Sequence, residues 1–86
     1  MTPPNTKIGK HPPKKTHSRK AKFTFSSTEA GSTFKCKLDR KRFAPCTSPK
    51  RFKHLKPGRH RFQVEAIDTA GNVDPTPATK RWKVLR

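Results

Sequence analysis

The stretch Arg59–Asp68, RHRFQVEAID, alternates between two kinds of side chain along its whole length. One set is mostly apolar and the other is polar: His60, Phe62, Val64 and Ala66 against Arg61, Gln63 and Glu65. Successive side chains of a β-strand point to opposite faces of a sheet, so this pattern predicts a half-buried strand.

The same period of two recurs in Lys20–Thr28, Ser32–Asp39 and Lys80–Leu85, and no segment shows a convincing helical period. Turn signals containing glycine, proline, aspartate or asparagine separate these segments. Strands at about ten-residue spacing with turns between them predict an all-β fold, an antiparallel sandwich of about seven short strands. The predicted core residues are Phe23, Phe25, Phe34, Leu38, Phe62, Val64 and Trp82.

Residues 1–19 have a different composition, with two proline pairs, many cations and few large apolar residues. This composition predicts a disordered basic tail or linker, within which Thr6–Ile8 is a candidate short strand. The predicted domain therefore covers residues 20–86. No apolar run is long enough for a signal peptide or a membrane span, so an export signal would lie outside this sequence or be absent.

The charge balance is strongly basic, with a formal net charge of +17 from 22 Lys and Arg against 5 Asp and Glu. Hydrophobic residues make up 28% of the 86-residue chain. Such values alone would indicate disorder, but the regular spacing of the apolar residues favours one small folded domain.

Four segments together carry a family resemblance: FTFSSTEAGSTFKCKLD, FAPCTSP, LKPGRHRFQVEAIDTAGNVDPTPAT and RWKV. In order and spacing they resemble one repeat of the bacterial immunoglobulin-like (fibronectin type III-like) domains that form tandem arrays in secreted and surface proteins. The resemblance covers about Lys20–Leu85. It implies an immunoglobulin-like β-sandwich with a non-enzymatic structural or adhesive role, beside neighbouring repeats of a longer parent chain. The departure is the basic hairpin tip, where such repeats often carry glycine.

The two cysteines, Cys36 and Cys46, lie on the two arms of the predicted hairpin. If Arg40–Arg42 forms a three-residue loop, Cys36 falls opposite Cys46 and a cross-strand disulfide is geometrically possible. Closing a loop of this size would stabilise the domain by about 3 kcal/mol in the chain-entropy model. The alternative is two free thiols in a cytosolic protein. A zinc site is disfavoured because the histidines show no ligand spacing with either cysteine.

Three of the five acidic residues lie in or near one turn, at Glu65, Asp68 and Asp74. Oxygen donors in a loop raise the question of calcium, but the spacing matches no calcium loop and the positive charge would weaken cation binding. We favour a structural turn formed by Asp68, Gly71 and Asn72.

The sequence predicts no catalytic residue, metal or cofactor. No serine or cysteine nucleophile has a recognisable base and orienting acid, and His60 is expected to pack at a corner of the sandwich. We therefore expect a protein that is not an enzyme and has no small-molecule substrate.

Cations alternate with aromatics along the chain, and a period of two turns all seven aromatics inward and leaves the cations outside. The expected partners are anionic cell-wall polymers, polysaccharide or lipid head groups, bound through a cationic surface that includes Arg40, Lys41 and Arg42. The expected location is extracellular or at the cell surface. The alternative is a small basic cytoplasmic protein that binds nucleic acid non-specifically through phosphates. A gene fragment without an independent role is a third, weaker alternative.

Overall fold

The structure, a computed structural model, describes residues 4–86, and these residues form nine β-strands and no helix. The strands are β1 (Thr6–Ile8), β2 (Lys15–Thr16), β3 (Ala21–Phe23), β4 (Phe25–Ser27), β5 (Thr33–Leu38), β6 (Ala44–Cys46), β7 (Lys50–Phe52), β8 (Gly58–Ile67) and β9 (Ala78–Val84). The predicted all-β class is confirmed, whereas about seven strands was too few. Nothing in the described part of the chain could cross a membrane as a helix.

Five strands form one sheet in the order β2-β9-β8-β5-β6. All neighbours in it are antiparallel except β2, which joins β9 in parallel, so the sheet is mixed. Two small antiparallel sheets pair β1 with β4 and β3 with β7. Only Thr24 separates β3 from β4, and its backbone N–H donates to the carbonyl of Lys10. The segment 21–27 therefore runs as one extended stretch with partners from β1 and β7.

The core lies where this extended stretch packs on the five-stranded sheet. The rings of Phe23 and Phe62 stack with centroids 4.0 Å apart, and Trp82 meets Phe23 edge-on at 5.2 Å. Phe23 and Phe62 are fully buried. The indole N–H of Trp82 is buried and has no acceptor among the described residues, so Trp82 acts through packing. The buried apolar residues are Ala21, Phe23, Phe25, Cys36, Leu55, Phe62, Val64, Ala66, Trp82 and Val84.

Five of the seven predicted core residues are confirmed as buried; Phe34 and Leu38 are half-buried and pack against the core from its margin. The expectation that every aromatic points into the core is wrong for Phe43. The Phe43 ring is half-buried and belongs to the loop before β6. The Lys37 ammonium lies over this ring, 5.7 Å from its centroid. Phe43 falls outside a strand, so the period-two rule does not apply to it.

Two short strands lie within residues 4–19, the described part of the predicted tail. The candidate strand at Thr6–Ile8 is present as β1 and pairs with β4. Residues 15 and 16 form β2 along β9. Composition did not predict these strands as a pair, because their hydrogen bonds come from partners far away in the sequence. Residues 1–3 of the predicted tail lie outside the described residues.

The hairpin between β5 and β6 has a different register from the predicted one. Cys36 lies opposite Ala44 and Phe34 opposite Cys46, two residues out of the predicted register. Asp39 has a positive φ of 57° and Lys41 donates to the carbonyl of Leu38, which closes the turn earlier than expected. The predicted disulfide is nevertheless confirmed. Cys36 and Cys46 are bonded across the diagonal, with their Cα atoms 5.8 Å apart.

Candidate anion-binding face

The outward face of the five-stranded sheet carries a dense set of cations on three adjacent strands. β8 and β9 turn Phe62, Val64, Trp82 and Val84 toward the core, so the residues between them point the other way. We name as the cationic face the residues Lys15, Arg59, Arg61, Arg81 and Lys83. Arg61 is half-buried and the other four are exposed.

Strand register places these like charges directly beside one another. Arg59 is paired with Lys83, Arg61 with Arg81, and Lys15 with Lys83. Like charges directly opposite each other on neighbouring strands destabilise a sheet. The cationic face is therefore an arrangement that folding alone does not favour.

An open concavity of about 870 Å³ lies over this face. Its lining includes the whole cationic face and adds Lys14 and Arg40. The N–H of Lys83 donates to the carbonyl of Lys14 at 2.7 Å, which fixes the segment before β2 against β9. Residues that composition assigned to a tail therefore contribute two cations to the concavity.

The lysines and arginines of residues 4–86 have no carboxylate partner within 4.0 Å. Across residues 4–86, the single ion pair within 4.0 Å joins His60 to Asp39. None of the 22 lysines and arginines, all of which lie in that range, takes part in a contact of this kind. The electrostatic attraction of the surface for anions is consequently not reduced by internal pairing.

The predicted binding residues of the hairpin tip line two different concavities. Arg40, Lys41 and Arg42 are all exposed, as a hairpin tip requires. Only Arg40 lines the concavity over the cationic face, whereas Lys41 and Arg42 line a smaller concavity beside the disulfide.

His60 and Asp39 form a hydrogen-bonded pair at the edge of the concavity. The Nδ1 atom of His60 lies 2.8 Å from the Oδ2 atom of Asp39, and Nε2 lies 2.7 Å from the carbonyl oxygen of Lys56. Two acceptors around one ring favour the imidazolium, which donates from both nitrogens. Burial alone would lower the pKa of His60, but the hydrogen bonds to Lys56 and Asp39 raise it above its ordinary 6.5.

This pair leaves neither partner available for acid–base chemistry. Both ring nitrogens of His60 are engaged, and the second carboxylate oxygen of Asp39 accepts from the N–H of Arg61 at 2.7 Å. The pair therefore fixes the loop before β6 and the loop before β8 to the sheet. It also engages the one carboxylate that lines the concavity.

The acidic turn has the geometry of a backbone-capping loop. The Oδ1 atom of Asp68 accepts from the N–H groups of Ala70 and Asn72 at 3.0 and 2.8 Å, and Gly71 has a φ of +88°. Hydrogen bonds from the side chain and the backbone of Asn72 lead the interactions that hold the pKa of Asp68 below its usual value. No group of three or more potential metal ligands occurs in the part of the chain that the structure describes.

Asp74 has a role that the sequence did not indicate. It is the one buried charged side chain among residues 4–86, with 2% of its surface exposed. Its Oδ2 atom accepts from the N–H and the hydroxyl of Thr6, and its Oδ1 atom accepts from the N–H and the hydroxyl of Thr76. The Thr6 hydroxyl in turn accepts from the N–H of Ala66 in β8. Asp74 thus ties β1 to the central strand.

Comparison with known proteins adds no family to these observations: no protein-family model matches the sequence, and no curated protein matches it.

Sequence reasoning missed the cationic face as a unit. The period of two in β8 and β9 already put Arg59 with Arg61, and Arg81 with Lys83, on the outward sides of their strands. The missing information was the register, since only pairing shows that these residues are immediate neighbours.

Proposed function

We propose that the chain is an immunoglobulin-like structural or adhesive module of an exported bacterial protein, and that its cationic surface holds anionic cell-envelope polymers. The nine strands support the sandwich part of this proposal. The extended stretch 21–27, flanked by β1 and β7, supplies one layer and the five-stranded sheet supplies the other. The sequence resemblance supports the rest, including neighbouring repeats in a longer parent chain.

The observation that carries the binding role is the unpaired positive charge. A net charge of +17, with a single His–Asp ion pair across residues 4–86, produces a strong positive potential outside the protein. Repulsion within the cross-strand pairs Arg59–Lys83 and Arg61–Arg81 destabilises the sheet, and the protein nevertheless has these charges side by side. A polyanion laid on the face relieves that repulsion.

The disulfide supports export. A bond between Cys36 and Cys46 persists in oxidising compartments such as the extracellular space, whereas cytosolic thiols are kept reduced. A domain with 28% hydrophobic residues benefits from such a covalent link because its core is small.

The non-enzymatic role is supported by the engagement of the one His–Asp pair. A general base needs a free nitrogen within hydrogen-bonding distance of the group that it deprotonates. His60 has none free, because Asp39 and the Lys56 carbonyl occupy both.

The test is binding by the wild-type protein to purified teichoic acid, an acidic polysaccharide, anionic lipid vesicles and duplex DNA of several unrelated sequences. We expect weakly selective binding whose affinity falls steeply between about 50 and 200 mM salt, because each neutralised anion releases a counterion. Tight, salt-resistant binding to one DNA sequence would contradict the proposal and favour the nucleic-acid alternative.

A further inference from the structure

We infer that the cationic face is a discrete binding site for a single linear polymer that carries phosphate or sulfate groups and lies across the strands. This inference rests on the proposed function and locates its site. It predicts that position, and not total charge alone, determines affinity.

The charges on the cationic face are closely and regularly spaced. Lys15, Lys83 and Arg59 form one row across β2, β9 and β8, and Arg81 and Arg61 form a second row beside it. Neighbouring strands are about 4.8 Å apart, and residues two apart on one strand are separated by about 7 Å. Five cations therefore occupy an area about 10 Å by 7 Å, which matches one chain carrying closely spaced anions.

The side chains of the cationic face are suited to binding oxyanions. Three of the five residues are arginines, whose planar guanidinium groups donate two parallel hydrogen bonds to an oxyanion. A tetrahedral phosphate or sulfate group has free oxygens in several directions, so it can bridge cations on neighbouring strands. Lys14 and Arg40 extend the site at its margin, since both line the same concavity.

The protein presents no exposed aromatic ring for base stacking among residues 4–86. None of the seven aromatic side chains is exposed, and Val73 is the one large hydrophobic residue exposed among those described. A binder of single-stranded nucleic acid needs exposed rings on which bases stack. A duplex presents its phosphates on two backbones separated by a groove about 6 to 12 Å wide, and a patch of about 10 Å by 7 Å reaches the phosphates of one of them.

The opposite layer has fewer adjacent positive charges than the cationic face. Lys22 and Arg51 are also paired directly on β3 and β7, and Lys53 follows them. That sheet has two strands, so the pair lacks the third strand that extends the row in the cationic face. It therefore supplies a matched control with like-charged, exposed residues.

The test compares two variants that each lose three positive charges. The face variant is Arg59→Gln/Arg81→Gln/Lys83→Gln, and the control variant is Lys22→Gln/Arg51→Gln/Lys53→Gln. The probes are long-chain polyphosphate and a heparin oligosaccharide, which distinguish phosphate from sulfate sources, with duplex DNA as the comparison. Affinity is measured by titration calorimetry from low to moderate salt.

We expect the face variant to lose at least tenfold in affinity for polyphosphate, heparin or both, with a salt slope lower by about one per contact removed. The control variant should lose much less. The face variant should also unfold at a denaturant concentration no lower than wild type, because opposed like charges have been removed. A second variant, Arg59→Lys/Arg81→Lys, keeps the charge and should retain the salt slope; loss of the slope in it would overturn the proposal.

Equal losses in the face and control variants would overturn the discrete site and leave the proposed function standing, since charge alone would then explain binding. Tighter binding of duplex DNA than of both other probes, lost selectively in the face variant, would overturn the ligand class. Failure of wild type to bind any anionic polymer would overturn both proposals.

Discussion

Thr6 and Asp74 lie 68 positions apart in the sequence and meet through two hydrogen bonds to one carboxylate oxygen, at 2.9 and 2.8 Å. Because the Thr6 hydroxyl also accepts from the N–H of Ala66, the contact joins β1, the central strand β8 and the loop before β9. The N–H of Asp74 donates to the carbonyl of Ala66 at 2.9 Å and completes the connection. The N-terminal segment is therefore held to the domain by a buried carboxylate.

Replacing this carboxylate should destabilise the domain. Asp74→Ala removes four hydrogen bonds to a charged acceptor, so we expect the free energy of unfolding to fall by about 3 kcal/mol. Glu29→Ala removes the same charge from an exposed loop position and should change stability by about 0.5 kcal/mol or less. Urea unfolding measures both; similar losses in the two variants would contradict a specific role for Asp74.

The same contact should weaken in acid. Burial alone would raise the pKa of Asp74, but hydrogen bonds from Thr76 and Thr6 hold it below 3.8. A carboxyl whose pKa is lowered by folding stabilises the fold above its unfolded pKa and loses this contribution as the pH falls through the folded value. The stability difference between wild type and Asp74→Ala should therefore shrink on acidification below pH 3.8. If the difference in stability between the two proteins does not change with pH, the charge of Asp74 does not contribute to it.

The pair of His60 and Asp39 should give the opposite pH dependence. The folded pKa of His60 is raised, so its contribution is fully present below pH 6.5 and is lost as the pH rises through the folded value. We expect the urea midpoint of wild type to fall relative to that of His60→Gln between about pH 6 and pH 9. If the two proteins have parallel pH profiles, the imidazolium assignment is wrong.

The disulfide should be present in the oxidised protein and contribute to stability. Intact mass after alkylation should change only when a reductant is added, because Cys36 and Cys46 are bonded. Cys36→Ala/Cys46→Ala should lower the free energy of unfolding by about 3 kcal/mol in the chain-entropy model. Two thiols that alkylate freely in the folded, air-exposed protein would count against the bond and against export.

Truncation of an aromatic side chain should lower the free energy of unfolding strongly only at the centre of the core. Phe62 is fully buried and stacked on Phe23, so Phe62→Ala should cost about 3 to 5 kcal/mol. Phe43 is outside the core cluster, and Phe43→Ala removes mainly its cation–π contact with Lys37, worth about 1 kcal/mol or less. Equal losses of unfolding free energy in Phe62→Ala and Phe43→Ala would contradict a core centred on Phe62.

Local alternation of side chains made the larger strands predictable. β5, β8 and β9 each keep a period of two, and Phe62, Val64 and Trp82 are buried as that period requires. Register was not predictable, because it depends on where each turn closes. Asp39 closes the hairpin with a positive φ, which displaced the expected pairing of Cys36 by two residues.

Long-range contacts account for most of what the sequence did not reveal. β1 and β2 are two or three residues long and carry no distinctive pattern, and their partners lie in β4 and β9. Asp74 looked like part of a turn because its distant partner, Thr6, cannot be inferred from spacing. The cationic face needed the same kind of information, since Lys15 reaches Lys83 only through the parallel pairing of β2 with β9.

The most direct test of the central claim is a map of amide chemical shifts in the ¹⁵N-labelled wild-type protein during titration with a heparin oligosaccharide. We expect the largest changes to cluster at Arg59, Arg61, Arg81, Lys83 and Lys15, and added salt to reverse them. Changes concentrated on Lys22 and Arg51, changes spread evenly over the surface, or no changes would each contradict this claim.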